Sequence, residues 1–114
     1  MHEISVALNI LEIVEKQCRD AGYRSLESVR VRVGRAGGIL PEALAFAFET
    51  VKRGTIAWNA DLIIDSIPLG GTCHRCHAQF QTTENILFEC PFCASPSFEI
   101  NQGYELQIVE MDVN

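Results

Sequence analysis

Four cysteines carry the most explicit chemistry in the chain. They stand as CHRC and CPFC: Cys73 and Cys76, thirteen intervening residues, then Cys90 and Cys93. Two thiolates two residues apart can hold one ion from a tight turn, and two such turns facing each other supply a tetrahedral four-sulfur site. Four thiolates leave no position open for a substrate, so the spacing points to structural zinc. Pro91 suits the second turn because its fixed φ fits the bend and it gives up one donor. The same sulfurs could hold iron as an electron carrier. Redox-active disulfides are disfavoured, since no thioredoxin-like βαβ pattern surrounds either pair.

A second candidate opens the chain, which begins MHEIS. The terminal amine of Met1, the amide of His2 and the imidazole of His2 can close fused chelate rings around one ion. Nickel(II) and copper(II) accept such a square-planar nitrogen field. The amide or the carboxylate of Glu3 could complete it. Zinc has no preference for a planar field. Taken alone, a histidine at position 2 reads as an unimportant terminus. The remaining candidates are plainer. Cys18 falls on an apolar helical stripe and reads as a small core residue. His74 and His77, in and beside the first cysteine turn, read as exposed or hydrogen-bonded turn residues.

These groups must be positioned by ordinary elements. From Glu3 to about Ala21, Ile4, Ala7, Leu8, Leu11, Val14 and Cys18 recur every three or four residues, one face of an amphipathic helix that Gly22 ends. SLESVRVRVG alternates, with Val29, Val31 and Val33 on one side, and predicts a half-buried strand. A second helix starts at Pro41, with Leu44, Ala47, Phe48 and Val51 as its stripe. Lys52 and Arg53 complement its dipole and Gly54 stops it. GGILPEAL contains no serine or aspartate to cap that helix. DLIIDSIP is apolar on both faces, as a central strand would be. YELQIVEMDV is a last strand whose phase changes near Ile108 and Val109, which predicts a bulge or an edge.

The expected fold is α+β: two helices packed on a small three-stranded sheet, with an inserted zinc-ribbon-like β module. Residues 1–71, completed by a C-terminal strand at 104–113, form the first unit, and residues 72–103 form the metal module. That module offers Phe80, Leu87, Phe88, Phe98 and Ile100 for packing. So small a core needs a metal as a staple.

Composition narrows the class further. The 114 residues are 47% hydrophobic and 21% charged, with a net charge of −6. A zinc ion on four thiolates adds about −2 more. An acidic surface repels phosphate backbones, so nucleic acid is not the expected partner. No stretch is apolar enough to span a bilayer, and Glu3, Glu12, Glu15 and Lys16 break any secretory signal. A cytoplasmic location is expected. Five cysteines there indicate metal chemistry rather than disulfides. No enzyme reading emerges. There is no GxxxxGK[ST] loop, GRAGG lacks the required lysine, and no Ser/His/Asp set is evident. Glu12, Glu15 and Glu49 read as solvated helix faces.

MHEIS, Gly54 and Thr55 after an apolar helix, CHRC with CPFC, and the closing GYELQIVEMDV together resemble the HypA/HybF family of hydrogenase nickel-incorporation proteins. The resemblance runs over essentially the whole chain in order and spacing. It implies a nickel metallochaperone for maturation of nickel–iron hydrogenase, with nickel at Met1, His2 and Glu3 and zinc at Cys73, Cys76, Cys90 and Cys93. It also implies two partners, the nickel-handling GTPase HypB and the hydrogenase large-subunit precursor. Ala94 departs from the glycine that often follows the second zinc turn. The competing expectation is a zinc-ribbon interaction module without a nickel function.

Overall fold

The computed structural model describes residues 2–114, except for the His2 side chain. Helix α1 (His2–Ala21) buries Val6, Ala7, Ile10, Leu11, Val14 and Cys18. Ile4 and Leu8, expected on this face, are exposed. At roughly 100° per residue they lie outside the flank marked by Leu11, whereas Val6 and Ile10 extend the buried face on the other side. Gly22 ends the helix at φ 78°, and the Tyr23 N–H returns to the Cys18 carbonyl at 2.9 Å. That six-to-one bond is the signature of a glycine C-cap.

Strand β1 (Leu26–Gly34) follows, then a 3-10 turn (Arg35–Gly37), helix α2 (Pro41–Val51) and strand β2 (Asp61–Ile67). β2 runs parallel to β1. Strand β6 (Leu106–Val113) comes back antiparallel on the other side, so the sheet order is β2-β1-β6. The double-faced apolar run of β2 therefore belongs to an edge strand, and the plainly alternating β1 is central. Val29, Val31 and Val33 of β1 form the floor of the core, packed with Leu44, Ala47 and Phe48 of α2 and with α1. Each such buried side chain contributes about 1.5–3 kcal/mol. The opposite face of β1 is solvated, and Arg30 there pairs with Asp65 at 2.9 Å and Glu110 at 3.1 Å. β6 is an edge strand and is bulged. Its register slips between Glu110, opposite Arg30, and Ile108, opposite Val31, leaving Val109 as the extra residue.

Between β2 and β6 lies a second sheet, formed by β3 (Leu69–Cys73), β4 (Gln79–Thr82) and β5 (Phe98–Gln102) in the order β4-β3-β5. Phe80 and Phe98 meet edge to face with centroids 6.0 Å apart. Phe88, expected to pack here, is 82% exposed. Gly71 is compulsory, because a Cβ there would sit 2.0 Å from the Glu99 carbonyl oxygen. The whole is α+β, two helices on a three-stranded sheet with an inserted β module.

The chain crosses between the sheets twice, at Pro68 and around Gly103. Gly34 N–H donates to the Glu105 carbonyl and Ala36 N–H to the Gly103 carbonyl, both at 2.7 Å. Arg35 donates to the Thr83 carbonyl at 2.9 Å and to Ser66 Oγ at 3.2 Å. We propose the two-unit division, with the first cut moved from the expected residue 71 to Pro68, since Leu69–Gly71 pair within the second sheet. None of the described helices is long and apolar enough to cross a membrane.

Candidate metal centre

The four cysteines converge from two turns. β3 ends in Cys73, so the first turn hangs from the central strand of the second sheet. The Cys73 N–H donates to the Ala78 carbonyl at 3.0 Å, and the Cys73 carbonyl accepts from the His77 N–H at 3.1 Å. The second turn repeats the pattern. Cys90 N–H donates to the Ser95 carbonyl at 2.8 Å, and the Cys90 carbonyl accepts from Ala94 N–H at 2.9 Å. Each turn closes with a residue of positive φ, His77 at 61° and Ala94 at 63°. This bend aims both sulfurs of a turn at a common point.

All four Sγ atoms lie within 4.8 Å of one another. Cys73 and Cys93 Sγ are 3.6 Å apart, and Cys76 and Cys90 Sγ 3.7 Å. Zinc–sulfur bonds of about 2.3 Å in a tetrahedron require sulfur separations of ~3.8 Å. The donor set fits zinc. Backbone amides turn toward the sulfurs as well. Arg75 and Cys76 N–H point at Cys73 Sγ at 3.3 and 3.4 Å, and Phe92 N–H at Cys90 Sγ at 3.4 Å.

Those amides shape the thiol chemistry. The Cys76 N–H, acting against burial and aided by the Arg75 N–H and the neighbouring thiols, lowers Cys73 to about 6. At Cys76 the Ala78 N–H pulls downward, but burial and the thiols of Cys73, Cys93 and Cys90 together carry it up to about 11. One sulfur in the cluster ionises easily and another resists, as expected where anions crowd without a compensating cation. A divalent ion removes that conflict.

The other residues singled out in the sequence fall apart spatially. Cys18 is fully buried in the first core, where desolvation raises its pKa. His74 is exposed, with Nδ1 3.2 Å from Ser97 Oγ, and His77 is exposed. Met1 and the His2 side chain, two parts of the expected nickel site, lie outside the described residues. Glu3 is described, and its Oε2 accepts a hydrogen bond from the Leu40 N–H at 3.3 Å. That contact is invisible in sequence, as is the role of Ser95, whose buried side chain accepts from Ser97 N–H at 3.1 Å and braces the second turn. Among the described residues, the four cysteines are the cluster able to hold a metal ion.

Fold and site define a small α+β metal-binding protein, with a four-cysteine β module inserted between a central strand's two neighbours. The family model for hydrogenase/urease nickel incorporation, metallochaperone, hypA, matches residues 1–113. The chain therefore belongs to the HypA family of nickel metallochaperones, and it is not an enzyme. Hydrogenase maturation factor HypA of Chloroflexus aggregans is 35% identical over 112 residues, covering 98% of each chain. That of Synechococcus elongatus is 37% identical over 113 residues, covering 99% of each. Two solved structures share the fold. One is the solution structure of the nickel metallochaperone HypA from Helicobacter pylori (22% identity, TM-score 0.65, covering 97% of this chain and 96% of that one). The other is a solution structure of HypA protein (23% identity, TM-score 0.70, covering 100% and 97%).

Proposed function

We propose that this protein binds Ni(II) and delivers it for maturation of nickel–iron hydrogenase. The observation that carries the reading is the extent of the family match, which takes in both MHE at the start and the cysteine pairs. Nickel is the cargo and binds through the Met1 amine, His2 and Glu3. Zinc is resident, held by Cys73, Cys76, Cys90 and Cys93, and its role is structural and regulatory. The division follows from chemistry. Four thiolates close a tetrahedral site, whereas a nitrogen site at a chain end is open to stepwise ligand exchange with a receiver. Amine and imidazole must be deprotonated to bind, so acidification releases the ion.

The partners proposed are the GTPase HypB, which supplies the nucleotide hydrolysis this chain has no loop for, and the hydrogenase large-subunit precursor. Both meetings take place in the cytoplasm. Ile86, Phe88 and Phe92 stand exposed on the metal module. Large exposed apolar side chains there support a docking role for the module.

The test is a nickel titration of untagged protein and of His2→Ala, with zinc quantified in the same samples. Loss of nickel with about one zinc per chain retained supports two separate sites. Unchanged nickel binding by His2→Ala refutes the N-terminal site.

A further inference from the structure

Helix α2 begins without any local cap. Its N-cap residue is Leu40, at φ −84° and ψ 122°, and no side chain of its own segment bonds to the first turn. The opening amides of a helix lack intrahelical partners, a need usually met by Ser, Thr, Asp or Asn. Pro41 removes one such donor by having no N–H. The Leu40 N–H is met instead by Glu3 Oε2, from a residue 37 positions earlier. A carboxylate at that end also interacts favourably with the helix dipole. Glu3 is half-buried, stands in the first turn of α1 and is the third of the residues assigned above to nickel.

We infer that Glu3 is a positioning residue whose carboxylate anchors the first turn of α1 on the N-terminal end of α2, and that this carboxylate is not a nickel ligand. The inference rests on the proposed N-terminal nickel site and adds a division of labour within it. The Met1 amine, His2 and the backbone amide of Glu3 bring nitrogen ligands. The side chain of residue 3 fixes the helix from which they project, so less conformational freedom is lost when the ion binds. A free carboxylate would stabilise Ni(II) by direct coordination. One whose role is to hold the Leu40 amide acts through preorganisation, and the two roles respond differently to substitution.

Three variants separate them: Glu3→Gln keeps a side-chain acceptor without charge, Glu3→Ala removes it, and Leu40→Pro removes the donor while leaving the Glu3 carboxylate in place. Proline suits the φ of Leu40, and the Leu40 carbonyl still accepts from Leu44 N–H at 2.9 Å. Untagged, zinc-loaded proteins are titrated with nickel by absorption, and exchange of the Leu40 amide is followed in the nickel-free proteins that retain it. Glu3→Gln should bind nickel within about twofold of the parent, with an unchanged spectrum. Glu3→Ala and Leu40→Pro should weaken it by the same factor, roughly fivefold to tenfold, the size of a lost cap. Leu40 exchange should quicken in Glu3→Ala by a similar factor and stay slow in Glu3→Gln. Parent-like binding by a folded Leu40→Pro overturns the inference, and so does a Glu3→Gln as impaired as Glu3→Ala. If Leu40→Pro does not fold, the amide exchange decides: equal rates in parent and Glu3→Ala mean there is no anchor. Failure of the nickel site itself appears separately, as unchanged binding by His2→Ala.

Discussion

Ala94 holds φ 63° at the close of the second cysteine turn, where its Cβ crowds the following carbonyl. Ala94→Gly removes that crowding while leaving all four sulfurs in place. The zinc-loaded variant should be more stable by about 1 kcal/mol, read as a higher thermal midpoint. His77 occupies the equivalent position of the first turn at φ 61°. Protonation acts on the same site. A thiol proton displaced by zinc makes apparent affinity fall as pH falls. Cys76, held near 11, contributes throughout the neutral range, and Cys73 begins to contribute only as pH falls through about 6. Zinc retention against a chelator of known proton affinity should therefore decline more steeply below about pH 6 than above it. A pH-independent retention would contradict the assignment of these thiolates as ligands.

The stretch that closes α2 shows how an element can be stopped by side chains from two directions. Gly54 turns the backbone at φ 74°, Thr55 Oγ1 donates to the Lys52 carbonyl at 2.6 Å, and Ala57 N–H donates to Thr55 Oγ1 at 3.1 Å. The Gly–Thr pair is thus a structural stop. Lys52, read in the sequence as complementing the helix dipole, is only 8% exposed. Its Nζ donates to the Ala60 carbonyl at 2.8 Å and pairs with Glu49 at 2.9 Å. The Glu49 carboxylate is largely in water, so that pair contributes little. The bond to Ala60 matters more, because it satisfies a buried carbonyl. Lys52→Met should cost about 1–3 kcal/mol in denaturant unfolding, the penalty of leaving that acceptor unpaired. In the second sheet, Gly71→Ala should be worse. Its Cβ would meet backbone rather than a movable side chain, and a loss of about 3 kcal/mol or more is expected, measured as failure to retain zinc and a collapsed melting transition.

At the scale of the molecule the two sheets differ in what holds them. The first has a continuous core of valines, Leu44 and Phe48 between helices and sheet. The second buries Leu69, Phe80, Cys73 and Cys90 and little else. Removing zinc should therefore unfold the second sheet selectively. Amide resonances of residues 69–102 should lose dispersion while those of Val29, Val31 and Phe48 persist, and re-addition of zinc should restore the spectrum. A cooperative loss of both sets would show instead that the junction bonds at Gly34, Ala36 and Arg35 make one folding unit.

The sequence by itself determined the pairing of the four cysteines in two turns and most of the elements. Cysteine spacing is a local property, so the two turns were legible before any fold was known. So were α1 with its glycine cap, the proline start of α2 and the bulge near Val109, each of which depends on residues within a few positions. What it left open depends on neighbours distant in the chain. β2 reads as central because both its faces carry apolar residues, yet sheet order is decided by where β6 returns, and β6 takes the other side of β1. Ile4 and Leu8 fit the helical period, but the width of the buried face is set by what packs on it. Lys52 is held inside by a carbonyl eight residues on, and Phe88, expected to pack, is left outside a module too small to enclose it. The cap of α2 is the clearest case. No side chain of its own segment supplies it, and the packing of α1 against α2 brings the Glu3 carboxylate within hydrogen-bonding distance of the Leu40 N–H.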